Sequence, residues 1–78
     1  MKVKLMFFGV FTELFETDSL YLENVFSVEE VIGILSEKFP KIHSHTYRIS
    51  VNRNMIEDTA MKLSMDDEIA LLPPFSGG

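Results

Sequence analysis

Cysteine is absent from the chain, and that single absence removes several chemistries. No disulfide can staple the fold, and no thiolate-held zinc or iron–sulfur cluster can form. Basic residues are scarce, seven Lys and Arg against 12 Asp and Glu, for a formal net charge of −5. Such a chain repels phosphates, so nucleic acid is not expected as a partner, whereas a protein with a basic face would be attracted. No apolar run approaches the ~20 residues that cross a bilayer. Residues 1–8 alternate Lys with apolar side chains and lack the layout of a signal peptide. These features predict a cytoplasmic protein with no membrane partner. Missing too are a GxxxxGK[ST] loop and a Gly-rich strand-to-helix turn, so the chain carries no ATP site of its own. At 78 residues one domain is expected, held by the 46% of residues that are hydrophobic.

Residues 2–8 alternate as a strand does, with Val3, Leu5 and Phe7 on one side and Lys2, Lys4, Met6 and Phe8 on the other. Gly9 interrupts, and residues 11–15 fit one short helical turn. After the turn signal Thr17-Asp18-Ser19, Leu20, Leu22 and Asn24 alternate with Tyr21, Glu23 and Val25, predicting a hairpin partner for the first strand. The best-marked element is a helix. Ser27 is its N-cap, Glu30 completes a capping box, and Phe26 is placed to staple onto Val31. Val28, Val31, Ile32, Leu35 and Phe39 form its buried stripe, Gly33 is read as a point of close packing on the sheet, and Pro40 stops it. Tyr47, Ile49 and Val51 mark a third strand, Asn52-Arg53-Asn54 a turn, and Ile69 with Leu71 the core side of a last strand. Strand, strand, helix, strand, strand with a right-handed crossover places the first and last strands side by side. That order predicts an α+β fold, the ubiquitin-like β-grasp, with a mixed sheet of four to five strands under one main helix.

The chain then reads Pro73-Pro74-Phe75-Ser76-Gly77-Gly78. Two prolines cannot continue a ladder and favour a stiff, extended course. Such a tail reaches roughly 20 Å when extended. Gly77 and Gly78 have no side chains, so they suit a narrow channel in another protein. A terminal Gly-Gly by itself also describes a frayed chain end; the Pro-Pro stiffener and the β-grasp order favour a working tail. We therefore expect residues 1–72 to form the domain and 73–78 an extended tail whose reactive group is the carboxylate of Gly78. A carboxylate is a poor acyl electrophile, so a separate enzyme must activate it.

The opening Val3-Lys4-Leu5-Met6-Phe7-Phe8-Gly9 with Thr12-Glu13-Leu14, and the closing Asp67-Glu68-Ile69-Ala70-Leu71-Leu72-Pro73-Pro74-Phe75-Ser76-Gly77-Gly78, resemble the small subunits of molybdopterin synthases. The resemblance implies that an ATP-dependent adenylating enzyme of the ubiquitin-activating type acts on Gly78 and that a sulfur donor converts the adenylate to a thiocarboxylate. The tail then enters the large synthase subunit, which holds the substrate, and gives its sulfur to a cyclic pterin precursor in molybdenum cofactor synthesis. No cofactor is bound by the chain itself, and no activity is expected of it alone. Two stretches depart from the pattern: residues 40–48, and Asp66-Asp67 where the family commonly has Asp-Gly.

Parity along the strands adds a surface. Phe8 shares the outer face with Lys2 and Lys4, and Leu72 shares it with Glu68 and Ala70. Neighbouring strands would make Phe8 and Leu72 one apolar patch at the root of the tail, extended by Met55. With Pro73, Pro74, Phe75 and Ser76, these are the expected partner contacts. His43 and His45, if extended, would face one side, but no third ligand lies near and no metal site is expected. Ser44 would point away from both, so no hydrolytic triad is expected. Met61 and Met65 read as core or edge packing. The alternatives are a thiocarboxylate carrier for another pathway such as thiamine synthesis, a ubiquitin-like protein modifier joined through Gly78 to lysines, and a binding module without tail chemistry.

Overall fold

The computed structural model describes residues 2–74. The expectations for Phe75, Ser76, Gly77 and Gly78 lie outside the described residues. Five strands form one sheet: β1 (Lys2–Phe7), β2 (Ser19–Glu23), β3 (Arg48–Val51), β4 (Asn54–Ile56) and β5 (Glu68–Leu72). Helices α1 (Val10–Phe15) and α2 (Val28–Lys38) and a 3-10 turn at Pro40–Ser44 complete the elements. The sheet order is β2-β1-β5-β3-β4, with β1 and β5 parallel at its centre and the other pairs antiparallel. This is the mixed β-grasp sheet expected from the element order.

Strand parity decides the core. Val3, Leu5 and Phe7 of β1, Ile49 and Val51 of β3, and Ile69 and Leu71 of β5 are buried on one face. Val28, Val31 and Leu35 of α2 pack into the same cluster, with Ile32 and Phe39 partly buried against it. Burying a side chain of this size contributes about 1.5–3 kcal/mol. Aromatic contacts close the end of the core under the chain leaving β1. Phe7 stacks on Phe15 at 4.3 Å, Phe15 meets Phe39 edge-on at 4.4 Å, and Phe11 meets Tyr47 at 6.3 Å.

The capping box forms in a shifted version. The Glu30 amide donates to Ser27 Oγ at 3.2 Å, while Glu30 Oε2 accepts from the Phe26 amide at 2.7 Å. Replacing Ser27 with Ala is expected to lower stability by about 1 kcal/mol, read from a shifted urea midpoint at constant slope.

Several expectations are corrected. Phe26 remains 53% exposed and does not staple the helix; Val31 is covered by the core. Gly33 is exposed, and a Cβ there would meet nothing within 4 Å, so it is no point of close packing. Gly33→Ala is therefore expected to stabilise the protein by about 0.5–1 kcal/mol in the same titration. Val25, assigned to the outer phase of β2, is fully buried because Asn24 takes φ 59° and resets the alternation. Residues 43–45 are not extended: His43 lies in the 3-10 turn and is exposed, and His45 caps it with its ring edge-on to Phe11 at 5.9 Å. Ile42, in that turn, is a core residue that parity did not reveal. Of the two readings for Met61 and Met65, core or edge packing, exposures of 36% and 68% exclude the core.

The segment between β4 and β5 has little regular structure but is tied down. The Val28 and Glu29 amides donate to the carbonyls of Met61 and Thr59, and the Leu63 amide donates to that of Phe26. Asp66 adopts φ 65°, so a non-glycine residue makes the left-handed turn. Asp67 fixes that turn by accepting from the Ser64 amide at 2.7 Å and from Asn52 Nδ2 at 2.9 Å. No helix among the described residues is long and apolar enough to cross a membrane.

Candidate functional site: the outer sheet face at the tail root

The solvent face of the sheet is built by the side chains that parity leaves out of the core. Register aligns Met6 of β1 with Ala70 of β5, Ala70 with Ser50 of β3, and Ser50 with Met55 of β4. One row of small and apolar groups thus crosses the four strands that carry these residues. Phe8 stands beyond this row toward the tail at 41% exposure, and Met55 is 48% exposed at its far end. Leu72 is half-buried between them, opposite Arg48 of β3.

Met6, Phe8, Ser50, Arg53, Glu68, Ala70 and Leu72 line a shallow depression of about 370 Å³. Its floor is apolar and its rim carries Arg53 and Glu68, the composition of a patch that excludes water while charged groups orient a partner. Arg53 reaches the rim because Asn52 and Arg53 both have positive φ, 50° and 71°, in the tight turn joining β3 to β4. Such a turn matches the twist of a hairpin. Asn52 also ties the hairpin to β5, its Oδ1 accepting from the Glu68 amide at 3.0 Å.

The structure brings together three of the residues singled out from sequence: Phe8, Leu72 and Met55 share this face. Met55 sits on a strand of its own, not in the turn where it was expected. Pro73 and Pro74 continue from the depression and are exposed. Sequence reasoning left Met6, Ser50 and Ala70 out of the patch. Met6 and Ala70 share the parity of Phe8 and Leu72, and that was the available signal. Ser50 is only 6% exposed although it faces outward, because its neighbours on either strand shield it.

The class is therefore a ubiquitin-like β-grasp domain with an apolar outer face beside the point where its C-terminal strand ends. Model matching places residues 5–78 in the ThiS family, so the chain belongs to that family and is a ubiquitin-like sulfur carrier. It is similar over 100% of both chains to a chain of the complex of subunits 1 and 2 of molybdopterin-converting factor from Helicobacter pylori 26695, with TM-score 0.77 and 28% identity. It is also similar to the small archaeal modifier protein 1 (SAMP1) of Methanosarcina acetivorans, with TM-score 0.81 and 27% identity over 99% of this chain and 96% of that one. SAMP1 from Haloferax volcanii shares the fold at TM-score 0.81 and 18% identity, with 100% of each chain covered.

Proposed function

We propose that this chain is the sulfur-carrier subunit of a molybdopterin synthase. The observation that carries the reading is the continuous outer face of Met6, Phe8, Ala70, Leu72 and Met55, which runs into Pro73 at the root of the Gly-Gly tail. Membership of the ThiS family and the likeness to a chain from a two-subunit molybdopterin-converting factor complex support it.

In this reading the domain is a handle. A separate adenylating enzyme joins the Gly78 carboxylate to AMP, with pyrophosphate leaving from ATP. A sulfur nucleophile then displaces AMP and leaves a terminal thiocarboxylate. The large subunit binds the outer face and receives the tail, and there the sulfur passes to a pterin precursor. The small side chains of Ala70 and Ser50 let a partner approach the sheet closely, while Phe8 and Met55 provide adaptable apolar contact at its ends.

The test is intact mass after incubation with the host's extract, ATP and sulfide. A product with sulfur in place of one oxygen at Gly78 is expected, and it should drive pterin conversion when mixed with the large subunit. An unchanged mass in an active extract would overturn the reading. The likeness to a small archaeal modifier protein favours one second reading, attachment through Gly78 to lysines of other proteins. Conjugates on a blot for the chain would reveal it. A carrier for thiamine synthesis would charge identically and differ only in the acceptor.

A further inference from the structure

Gly9 and Pro73 meet where the central parallel pair ends. Register sets Phe7 level with Leu71, so Phe8 falls level with Leu72 and Gly9 with Pro73. The Phe8 amide still donates to the Leu71 carbonyl at 3.2 Å. One step further the ladder cannot continue, because proline has no N–H to give. The contact becomes one of packing. A Cβ built on Gly9 would lie 2.9 Å from Pro73 Cγ and 3.3 Å from Cδ, so the proline ring rests in the space that a side chain would fill. Gly9 also holds φ 59° and ψ −135°, a conformation that L-residues with a Cβ avoid.

The seat beneath the ring is fixed from below. The Phe11 amide donates to the Phe8 carbonyl at 3.2 Å, the Thr12 amide to the Gly9 carbonyl at 3.1 Å, and Thr12 Oγ1 to the Phe7 carbonyl at 3.2 Å. Phe11 is fully buried in the core, and the stacked pair Phe7–Phe15 brackets the same turn. The backbone under Pro73 is thereby held by bonds and packing independent of the tail.

The geometry points to Gly9 and Pro73 as a seat that sets the direction in which the tail leaves the sheet, making both positioning residues for sulfur delivery. The role rests on the carrier reading above. A tail reacting inside a partner depends on its angle of departure, and a misplacement of about 1 Å at a reacting centre can cost roughly 100-fold in rate.

The contact itself is tested without any partner. In isotope-labelled protein, cross-relaxation between the Gly9 α-protons and the Pro73 ring protons is expected; its absence would overturn the proposal. For function, Pro73→Ala is the informative variant, since Pro73 is exposed and Gly9→Ala risks misfolding from its φ alone. Pro73→Ala should melt within about 3 °C of wild type; because Pro73 is itself an expected partner contact, the rate is read at saturating large subunit, where any change in Kd drops out. Its thiocarboxylate should transfer sulfur at least ~10-fold more slowly in a single turnover at saturating partner. An unchanged rate, or a loss lying wholly in Kd, would overturn the positioning role. Failure of wild type to transfer at all would count against the carrier reading and leave the proton contact as the judge of the seat.

Discussion

A chain with one extra residue after Gly78 is expected to fold normally and to yield no thiocarboxylate. The reasons sit at different levels of the molecule. Among the described residues the last core side chain is Leu71, and the exposed Pro73 and Pro74 lie beyond β5, so an addition after Gly78 is not expected to disturb the core. Its melting curve should overlay that of wild type. The proposed chemistry, by contrast, needs a free glycyl carboxylate: an amide at Gly78 has no ionised carboxylate oxygen to attack ATP, and a terminal residue with a side chain would have to enter a partner site that the proposal fits to Gly-Gly. The expected activity is zero, not merely reduced, and proteolytic removal of the extra residue should restore it. Cofactor synthesis from the blocked chain would sink the tail mechanism outright.

Phe8→Asp is expected to weaken binding of the large subunit by about 100-fold or more, near 2.7 kcal/mol. Phe8 is 41% exposed and stands at the tail end of the apolar row, where a partner that covers the depression must also cover it. A carboxylate in place of the ring gives up the apolar contact and is desolvated when the partner covers it. The fold should tolerate the change, because Phe8 stands outside the buried core and its structural bonds are those of its backbone, the amide to Leu71 and the carbonyl to Phe11. Stability should stay within about 0.5 kcal/mol. Calorimetric titration of wild type and Phe8→Asp against the large subunit makes the comparison, and equal affinities would remove the outer face from the interface.

The fold was legible because its strongest signals are short-range. Parity assigns Val3, Leu5 and Phe7 inward and Phe8 outward, and the Ser27 cap with its apolar stripe marks α2. The errors arose where one backbone angle overrides a side-chain pattern. Asn24 at positive φ turned Val25 inward, and the only signal for that angle was the asparagine itself, a residue type that tolerates the left-handed region. Residues 40–45 carry no clear period, and extension was weighed only for His43 to His45, yet Pro40 begins a 3-10 turn that carries Ile42 into the core. Strand β4 is too short for parity to speak, so Met55 was assigned to a turn. At the candidate site, Phe8 and Leu72 could be paired from sequence because β1 and β5 were expected as neighbours. The contact of Gly9 with Pro73 could not, since it depends on the register between those strands.

The central pairing of β1 with β5 joins the two ends of the chain, and its consequence is one of timing. Contacts this distant in sequence close late, after the loop entropy of the whole intervening chain has been overcome. The surface of Met6, Phe8, Ala70 and Leu72 is shared between those two strands, so neither strand alone carries it. During synthesis β5 emerges after the other four strands. A nascent or partly unfolded copy thus lacks the complete outer face, and on the proposed function a partner that docks there would select for copies whose folding is finished.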